Sequence, residues 1–471
     1  MTLSIHHETS QFLASATSDA AVPAVVDPLL AVEGASVPVP LAAGRGTCGY
    51  ANLDYAASAP SLSHVERRLA EFRPFYASVH RGAGWASQVS TAAYEGARTL
   101  IARFLGAREE DVLVFTRNTT DALNLLASSV PAHAGDVIVL ELEHHANLLP
   151  WQRGPHRVLP VADTLAATLD RLADALAEAP AALVSITGAS NVTGEELPLA
   201  RIATLAHAHG ARLAVDAAQL APHRRIDLAG TGIDYLALSG HKLYSPYGAG
   251  VLIGQRDWLD EATPYLAGGG AVRSVATTSV TWAAAPARHE AGTPNVLGAV
   301  ALAAACEALA SLPEGALEVH ESALRHRLVT SLSAIDGVHV VRIFSDSTSS
   351  IGVVTFTVDG IDPGLLAAVL SAEYGIGVRD GKFCAHPLLA RLGLPAGAVR
   401  ASLGVGSSSD DVDRLVRAVA SVVQAGPELD YQLVDGRYAP VDDTREMPAA
   451  AGWLVGWAKA GVTGASPCQS A

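Results

Sequence analysis

A lysine that closely follows a strongly apolar run is the first residue in this sequence to suggest chemistry. Lys242 lies in the segment SGHKLYSPYGAG (239–250), which comes directly after the run DYLAL (234–238). Lysine is rarely buried at such a place unless it is paired or reactive, because desolvation disfavours its charged form. A lowered pKa is what an amine needs in order to form a Schiff base with a carbonyl. Lys242 is therefore a candidate reactive amine.

A carboxylate occupies the equivalent place after another apolar run. Asp216 ends the segment RLAVD (212–216). Taken alone, such a residue is as well explained by a helix cap. Beside a reactive amine it is also suited to pair with a protonated ring nitrogen.

Several small polar residues also follow apolar runs and could hydrogen-bond a phosphate group. They carry hydroxyl or imidazole groups: Thr119, Thr120, Ser239 and His241. The N–H groups of a helix predicted to begin near Asp121 would add to such a site. An amine for an aldehyde, an acid for a pyridine nitrogen and donors for a phosphate are together the demands of pyridoxal phosphate. Each signal is weak alone, but their combination predicts this cofactor.

The segment from Ser239 to Lys242 also fits the S-x-x-K pattern of serine acylases. Those enzymes additionally need S-D-N and K-T-G motifs, and neither occurs in this sequence. We therefore reject an acylase.

These residues must be positioned by a sheet whose strands alternate with helices. Short apolar runs, several of them β-branched, predict strands at 111–115, 136–142, 182–187, 212–215, 234–238 and 250–253. Continuous apolar strands separated by helices indicate an α/β fold with a mainly parallel sheet flanked by helices. In such sheets ligands bind outside the carboxyl ends of the strands, which is where the polar residues above lie.

The pattern changes after about residue 313 and predicts a second, smaller α+β domain. Its strands are expected at 338–344, 351–358, 377–379 and 399–403, and its last helix at 410–424 after a capping box at 408–411. We expect a loosely ordered leader over 1–45, a large domain over 46–312, of which 46–60 could pack on the small domain, a small domain over 313–425 and a tail over 426–471. Trp453 and Trp457 suggest that the tail partly docks.

Composition narrows the function. The 471-residue chain is 49% hydrophobic, enough for a large core, and its net charge of −15 argues against binding nucleic acid or anionic membranes. Four single cysteines without a C-x-x-C and an N-terminus without a secretory pattern suggest a reducing, cytoplasmic location. No metal site is expected, since His207 and His209 have no accompanying ligand set and are interpreted as helix surface residues.

Seven motifs, in order along the chain, resemble a known family. They are LDYAASAP (53–60), HRG (80–82), EHHANLLPWQ (143–152), ASNVTG (189–194), VDAAQ (215–219), SGHKLYSPYGAG (239–250) and EAGTPN (290–295). The chain from about 50 to 424 resembles the class V, fold-type I pyridoxal-phosphate enzymes, and most of all the group II cysteine desulfurases.

The resemblance implies a role for each matching position. Lys242 would hold the cofactor aldehyde and Asp216 its pyridinium nitrogen. His144 would stack on the cofactor ring, and Asn191 and Gln219 would hydrogen-bond its phenolate oxygen. The phosphate would be held by Thr120, Ser239 and His241, and by Thr293 from the second subunit of a homodimer. The substrate would be bound by Arg400, Arg379 and Asn191. The planar fork of Arg400 suits bidentate capture of the substrate carboxylate.

The reaction depends on Cys384, because the cofactor residues are common to the whole class. Arg379, Lys382 and His386 lie near it in sequence, and nearby cations stabilise a thiolate. The R-x-G-x-x-C spacing resembles group II desulfurases and implies a catalytic thiol, although Lys382 and Phe383 stand where that group often has two histidines. Cys306 lies in an apolar helix and is interpreted as a core residue.

The resemblance implies that L-cysteine becomes L-alanine while Cys384 receives a persulfide, which passes to an acceptor protein. A class V aminotransferase, epimerase or C–S/β-lyase in which Cys384 is not catalytic stays open. A module of another kind, which uses the fold only to bind a cofactor or partner, is disfavoured by the presence of both Lys242 and Arg400.

Overall fold

The chain contains twelve α-helices and nineteen strands in the part that our computed structural model describes, residues 25–80 and 82–452. The helices are α1 (Ser63–Phe72), α2 (Trp85–Phe104), α3 (Thr119–Ser129), α4 (Leu165–Glu178), α5 (Leu199–Ala208), α6 (Leu228–Thr231), α7 (Arg256–Glu261), α8 (Val296–Ala310), α9 (Ala316–Ser333), α10 (Pro363–Tyr374), α11 (His386–Arg391) and α12 (Ser409–Ala425). Every helix of the described ranges is too short or too polar to cross a bilayer.

The strands form two main sheets and several short pairs. They are β1 (Pro38–Pro40), β2 (Thr47–Gly49), β3 (Ala51–Asn52), β4 (Val112–Thr116), β5 (Asp136–Leu140), β6 (His156–Leu159), β7 (Ala181–Thr187), β8 (Arg212–Asp216), β9 (Tyr235–Ser239), β10 (Gly250–Gly254), β11 (Val272–Val275), β12 (Val280–Trp282), β13 (Val338–Val340), β14 (Val353–Val358), β15 (Ile376–Gly377), β16 (Arg379–Gly381), β17 (Ala398–Ser402), β18 (Tyr431–Val434) and β19 (Arg437–Pro440).

The large sheet has seven strands in the order β4-β10-β9-β8-β7-β5-β6. Strands β9, β8, β7, β5 and β6 run parallel, and β10 runs antiparallel to both of its neighbours. Apolar side chains cover both faces: along β4, Leu113 points into one buried cluster and Val114 into another on the opposite side. The α/β fold with a mainly parallel sheet is confirmed, and its six predicted strands lie within two residues of those observed. Strand β6 was not predicted, because its sequence is partly charged.

The smaller sheet has four antiparallel strands in the order β13-β14-β17-β16. Apolar side chains of α9, α10 and α12 form its core. The predicted capping box begins α12, where Ser408 and Asp411 bond each other's backbone N–H groups. Segment 51–54 is part of this unit, since β3 pairs with β15, Asp54 bridges to Ser402 and Leu53 is buried in the same core.

The two ends of the chain differ from the sequence prediction where they are described. Residues 25–45 were expected to be loose, but Leu29 donates its backbone N–H to Val405 and Val32 is buried. Part of the expected tail forms the β18–β19 hairpin, which packs against α10. Trp453 and Trp457, whose docking was predicted, lie outside the described residues, as does Arg81 of the HRG motif.

Candidate active site

A pocket of about 330 Å³ opens at the carboxyl ends of the central strands of the large sheet. Almost every residue singled out from the sequence lines it. These are Thr119, Thr120, His144, Asn191, Asp216, Gln219, Ser239, His241, Lys242, Arg379, Cys384 and Arg400. Parallel strands bring the segments that follow them to one edge of the sheet, so positions far apart in sequence share one cavity.

Lys242 and Asp216 both line the pocket and influence each other through their charges. Desolvation by the protein lowers the pKa of Lys242 to about 8, although the negative charge of Asp216 acts in the opposite direction. The Asp216 carboxyl is buried; one oxygen accepts the backbone N–H of Ala218 at 2.9 Å. Burial raises the pKa of Asp216, and its backbone hydrogen bond and Lys242 limit the rise. The pocket therefore combines an amine that is easily deprotonated with a buried acid.

A cluster of hydroxyl and backbone donors forms one wall. Ser239 Oγ accepts the backbone N–H of Thr119 at 2.8 Å and lies 2.7 Å from the Thr119 hydroxyl. This contact joins the end of β9 to the first turn of α3. Gly250 makes the approach possible, because a Cβ there would lie 2.7 Å from Cα of Asn118. Asn118 in turn caps α3 through the N–H of Asp121. The wall presents a helix N-terminus with adjacent hydroxyl groups, an arrangement suited to an anion.

His144 is held as a neutral ring. Its Nδ1 accepts the backbone N–H of Ala146 at 3.0 Å, so Nδ1 carries no proton. Desolvation, followed by the nearby charge of Lys242, lowers the pKa of His144 to about 3. Desolvation likewise lowers the pKa of His241 to about 4. Both imidazoles are neutral at physiological pH and can stack or hydrogen-bond without adding charge to the pocket.

Arg400 is a buried cation that connects the two domains. Its Nη2 donates to the Asp54 carboxylate at 3.2 Å, and its Nη1 donates to the backbone oxygen of Asn191 at 2.8 Å. The guanidinium carbon lies 5.2 Å from the centre of the Phe383 ring. Its Nε is buried and has no hydrogen-bond partner among the described residues. The Nε–H is thus a donor for which the described residues supply no acceptor.

Cys384 lies on the same pocket, in a loop held by its main chain. Asn191 Nδ2 donates to the Phe383 carbonyl at 2.8 Å, and the backbone N–H of His145 donates to the Cys384 carbonyl at 2.9 Å. Phe383 and Cys384 both have φ near +54°, a left-handed conformation that costs a non-glycine residue roughly 1–2 kcal/mol. Contacts with the large domain therefore fix where the thiol lies.

Two predicted site residues are arranged differently from the others. Thr293 is exposed and is not among the residues lining this pocket, so within one subunit the structure does not bring it to the site. Arg379 lines the pocket but is exposed at its rim.

Cys306 is fully buried in α8, and burial raises the pKa of its thiol. Within the described ranges no three side chains of His, Cys, Asp or Glu are arranged to hold a metal ion.

Sequence reasoning missed three residues that shape the site. Asp54 is the partner of Arg400 although 346 positions separate them. Phe383 supplies both an aromatic face for Arg400 and a carbonyl for Asn191. Glu143 is fully buried and accepts hydrogen bonds at the end of β5, and burial raises its pKa well above its usual range. Of the three, only Glu143 could have been found from the sequence. It is a carboxylate that shortly follows an apolar strand and directly precedes His144, and a carboxylate buried at such a place needs hydrogen-bond partners.

A mainly parallel sheet with a smaller C-terminal domain, and a lysine and an aspartate meeting at the sheet's carboxyl edge, define an enzyme of the fold-type I class. The chain belongs to the class-V aminotransferase family, whose model matches residues 51–415.

Curated relatives and solved structures are similar over most of this length. A cysteine desulfurase of Dickeya dadantii is 39% identical over 78% of this chain and 90% of its own. A probable cysteine desulfurase of Halobacterium salinarum is 37% identical over the same shares. Among solved structures, the Escherichia coli cysteine desulfurase CsdA is 35% identical, with a TM-score of 0.70 over 80% of this chain and 95% of that one. The apo cysteine desulfurase of Thermococcus onnurineus is 32% identical, with a TM-score of 0.73 over the same shares.

Proposed function

We propose that this protein is a pyridoxal-phosphate-dependent cysteine desulfurase, which converts L-cysteine to L-alanine and leaves the sulfur as a persulfide on Cys384. One observation carries the proposal: the Cys384 thiol and the Lys242 amine line one pocket, together with the buried Arg400. An amine alone is common to the whole class. The thiol beside it separates sulfur transfer from amino transfer or epimerisation.

The pocket residues fit pyridoxal phosphate. The Gln219 side chain donates Nε2 to Ala56, while its Oε1 is buried without a partner in residues 25–80 and 82–452, as a site for a ligand hydroxyl requires. Lys242 would hold the aldehyde and Asp216 the ring nitrogen. Thr119, Thr120, Ser239 and His241 would hold the phosphate, and His144 and Asn191 the ring. Bound there, the cofactor would supply an electrophilic carbonyl and a ring that accepts electrons from the substrate.

The chain's own groups supply binding and proton transfer. Arg400 would bind the substrate carboxylate with its vacant Nε–H, and Arg379 at the rim would add a second positive charge. Lys242, with a pKa of about 8, can both take and return a proton near neutral pH. It would remove the proton from Cα of L-cysteine and later return it.

Cys384 would act as a thiolate on the substrate sulfur. A bond forms between its Sγ and the substrate Sγ, the substrate Cβ–Sγ bond breaks, and a proton takes the place of sulfur on the β-carbon. L-cysteine plus the enzyme thiol thus yields L-alanine plus an enzyme persulfide, with no external oxidant or reductant. The persulfide must then pass to an acceptor, which we expect to be a protein.

A homodimer is part of this proposal. Thr293 is exposed and is not among the residues that line its own subunit's pocket, so we expect it to serve a phosphate in a second copy. Trp85, 73% exposed in α2, and Val275, 68% exposed in β11, supply apolar surface that a second subunit would cover. Light scattering of the purified protein should give the mass of two chains.

Mass spectrometry after exposure to L-cysteine tests the function. The Cys384 peptide should gain one sulfur and alanine should appear in equal amount. Cys384→Ala should form neither while still binding the cofactor, and Cys48→Ser, at a half-buried thiol outside the pocket, should behave as wild type. Full turnover by Cys384→Ala would favour an aminotransferase, epimerase or lyase instead. Borohydride reduction should place the cofactor on Lys242, and a label elsewhere would exclude this site.

A further inference from the structure

A second cavity lies on the other side of Cys384. It is a groove of about 590 Å³. Three of its lining residues, Arg379, Phe383 and Cys384, also line the active-site pocket. Cys384 therefore contributes to the walls of both cavities. One holds the residues assigned to cofactor and substrate, and the other contains none of them apart from the shared wall.

The outer wall of the groove is the β18–β19 hairpin. Gly436, Arg437 and Tyr438 of the hairpin line it, opposite the first turns of α10. The hairpin lies beyond residue 415, where the family match ends. This wall is thus a feature of the present chain that the family model does not include.

A buried carboxylate anchors the hairpin. Glu373, whose side chain is fully buried at the end of α10, accepts the backbone N–H groups of Glu428 and Leu429 at 3.1 and 3.2 Å. It also accepts the Tyr431 hydroxyl at 3.0 Å. Three hydrogen bonds to one buried side chain therefore hold the start of the hairpin in front of the groove.

The groove carries an excess of positive charge in an acidic protein. Arg379, Lys382 and Arg437 line it, together with Asp362 and Asp380. Asp362 uses its carboxylate to cap α10. Burial raises the pKa of Asp380, and the charges of Arg379 and Arg437 only partly oppose the shift. Three cations and two acids thus line one groove of a chain whose net charge is −15.

The Cys384 loop itself cannot carry sulfur far. Its two carbonyls are hydrogen-bonded to Asn191 and His145 of the large domain, so the acceptor must come to the thiol. On the pocket side, the residues assigned to the cofactor surround the approach to Cys384. The groove is the remaining approach.

We propose that this groove admits the sulfur acceptor, and that the acceptor is a protein segment in which a cysteine is flanked by carboxylates. The inference rests on the proposed desulfurase function. The acceptor thiolate attacks the outer sulfur of the Cys384 persulfide; a new S–S bond forms on the acceptor, the bond to Cys384 breaks, and Cys384 leaves as a thiolate. No co-reactant is needed. The cations of the groove attract the carboxylates and bring the incoming thiol to the persulfide.

Model peptides provide the test on the full-length holoenzyme. The enzyme is first loaded with persulfide by one equivalent of L-cysteine. It is then mixed with pentapeptides in which a central cysteine is flanked by two aspartates, two serines or two lysines, and the sulfur left on Cys384 is followed by mass spectrometry. At low ionic strength the aspartate peptide should discharge the persulfide about tenfold faster than the lysine peptide. The preference should shrink strongly in 1 M salt.

Charge reversal at the hairpin supplies the matched comparison. Arg437→Glu should abolish or invert the preference, whereas Arg103→Glu, at an exposed arginine of α2 outside the groove, should leave it unchanged. Equal rates for the three peptides with wild-type enzyme would overturn the inference, as would faster discharge by the lysine peptide. Faster discharge by 2-mercaptoethanol than by every peptide would show that the groove takes small neutral thiols instead. Absence of persulfide on Cys384 at the loading step would contradict the proposed function itself.

Discussion

The pH dependence of cofactor attachment follows directly from the burial of Lys242. Only the neutral amine can attack an aldehyde, and desolvation lowers the pKa of Lys242 to about 8. At pH 7 about 10% of the amine is then neutral, compared with about 0.03% for an ordinary lysine. Apoenzyme mixed with pyridoxal phosphate should therefore form the adduct roughly 300-fold faster than a free lysine at this pH, before any gain from binding.

The shape of the profile is more informative than the rate itself. The initial rate of adduct formation should rise about fivefold from pH 7 to 8, about twofold from pH 8 to 9, and little above that. A free lysine should instead gain about tenfold per unit up to pH 10. Samples would be reduced with borohydride at timed intervals and the Lys242 peptide quantified by mass spectrometry. Nα-acetyl-lysine amide, measured in parallel, corrects for titration of the cofactor itself.

Removal of a neighbouring charge tests the cause. The carboxylate of Asp216 raises the pKa of Lys242 against the larger effect of burial, so Asp216→Asn should move the midpoint to a lower pH, by about one unit. At saturating cofactor, the pH midpoint of the rate profile does not depend on how tightly the variant binds the cofactor. A wild-type rate that climbs tenfold per unit to pH 10 would refute the reasoning. A midpoint that moves upward in Asp216→Asn would refute it as well.

Three further outcomes are expected. Arg400→Lys should raise the KM for L-cysteine about tenfold or more while kcat changes less, because an ammonium cannot replace the fork; an unchanged KM in steady-state assays would argue against carboxylate binding there. Glu143→Leu should cost about 2–4 kcal/mol in urea unfolding, since the Thr187 N–H and Asn147 Nδ2 lose their buried acceptor; Glu143→Gln, which keeps one acceptor, should lose about half as much, and equal losses would contradict this. Glu373→Ala should speed proteolysis between residues 426 and 430 about tenfold or more by releasing the hairpin, and an unchanged cleavage rate would show that other contacts hold it.

The residues assigned to the cofactor could be predicted from the sequence, because their positions depend on the order of strands and the residues that directly follow them. Asp216 and Lys242 each follow a continuous apolar strand, and such strands place their next residues at a single edge of the sheet. The strand pattern sufficed to bring them together. The antiparallel course of β10 was not accessible, because a short apolar run carries no information on direction.

The substrate end depends on contacts between distant segments. Asp54 reaches Arg400 because β3 pairs with β15 and Asp54 itself bridges to Ser402 of β17, and no local pattern encodes that pairing. The left-handed turn at Phe383 and Cys384 was also hidden, since neither residue type favours positive φ. It is imposed by the large-domain groups that hold their carbonyls.

The hairpin near the C-terminus could have been predicted. In the segment YQLVDGRYAP (431–440), two short runs that contain apolar residues flank Asp435 and Gly436, which both have positive φ. An Asp-Gly pair is strongly preferred in the two-residue turn of a hairpin. The glycine, alanine and proline content of the surrounding chain suggested a tail instead, and that interpretation outweighed the local turn signal.

The hydrogen bonds that hold the Cys384 loop allow its side chains to vary during evolution. Asn191 and His145 hold carbonyl oxygens, which every amino acid possesses, so the exchange of Lys382 for another residue does not remove either hydrogen bond. Descendants of this gene could thus acquire new delivery targets by altering one neighbouring side chain while the nucleophile keeps its place. The position of the thiol can therefore be conserved while the choice of acceptor changes, because main-chain atoms fix the position and side chains contact the acceptor.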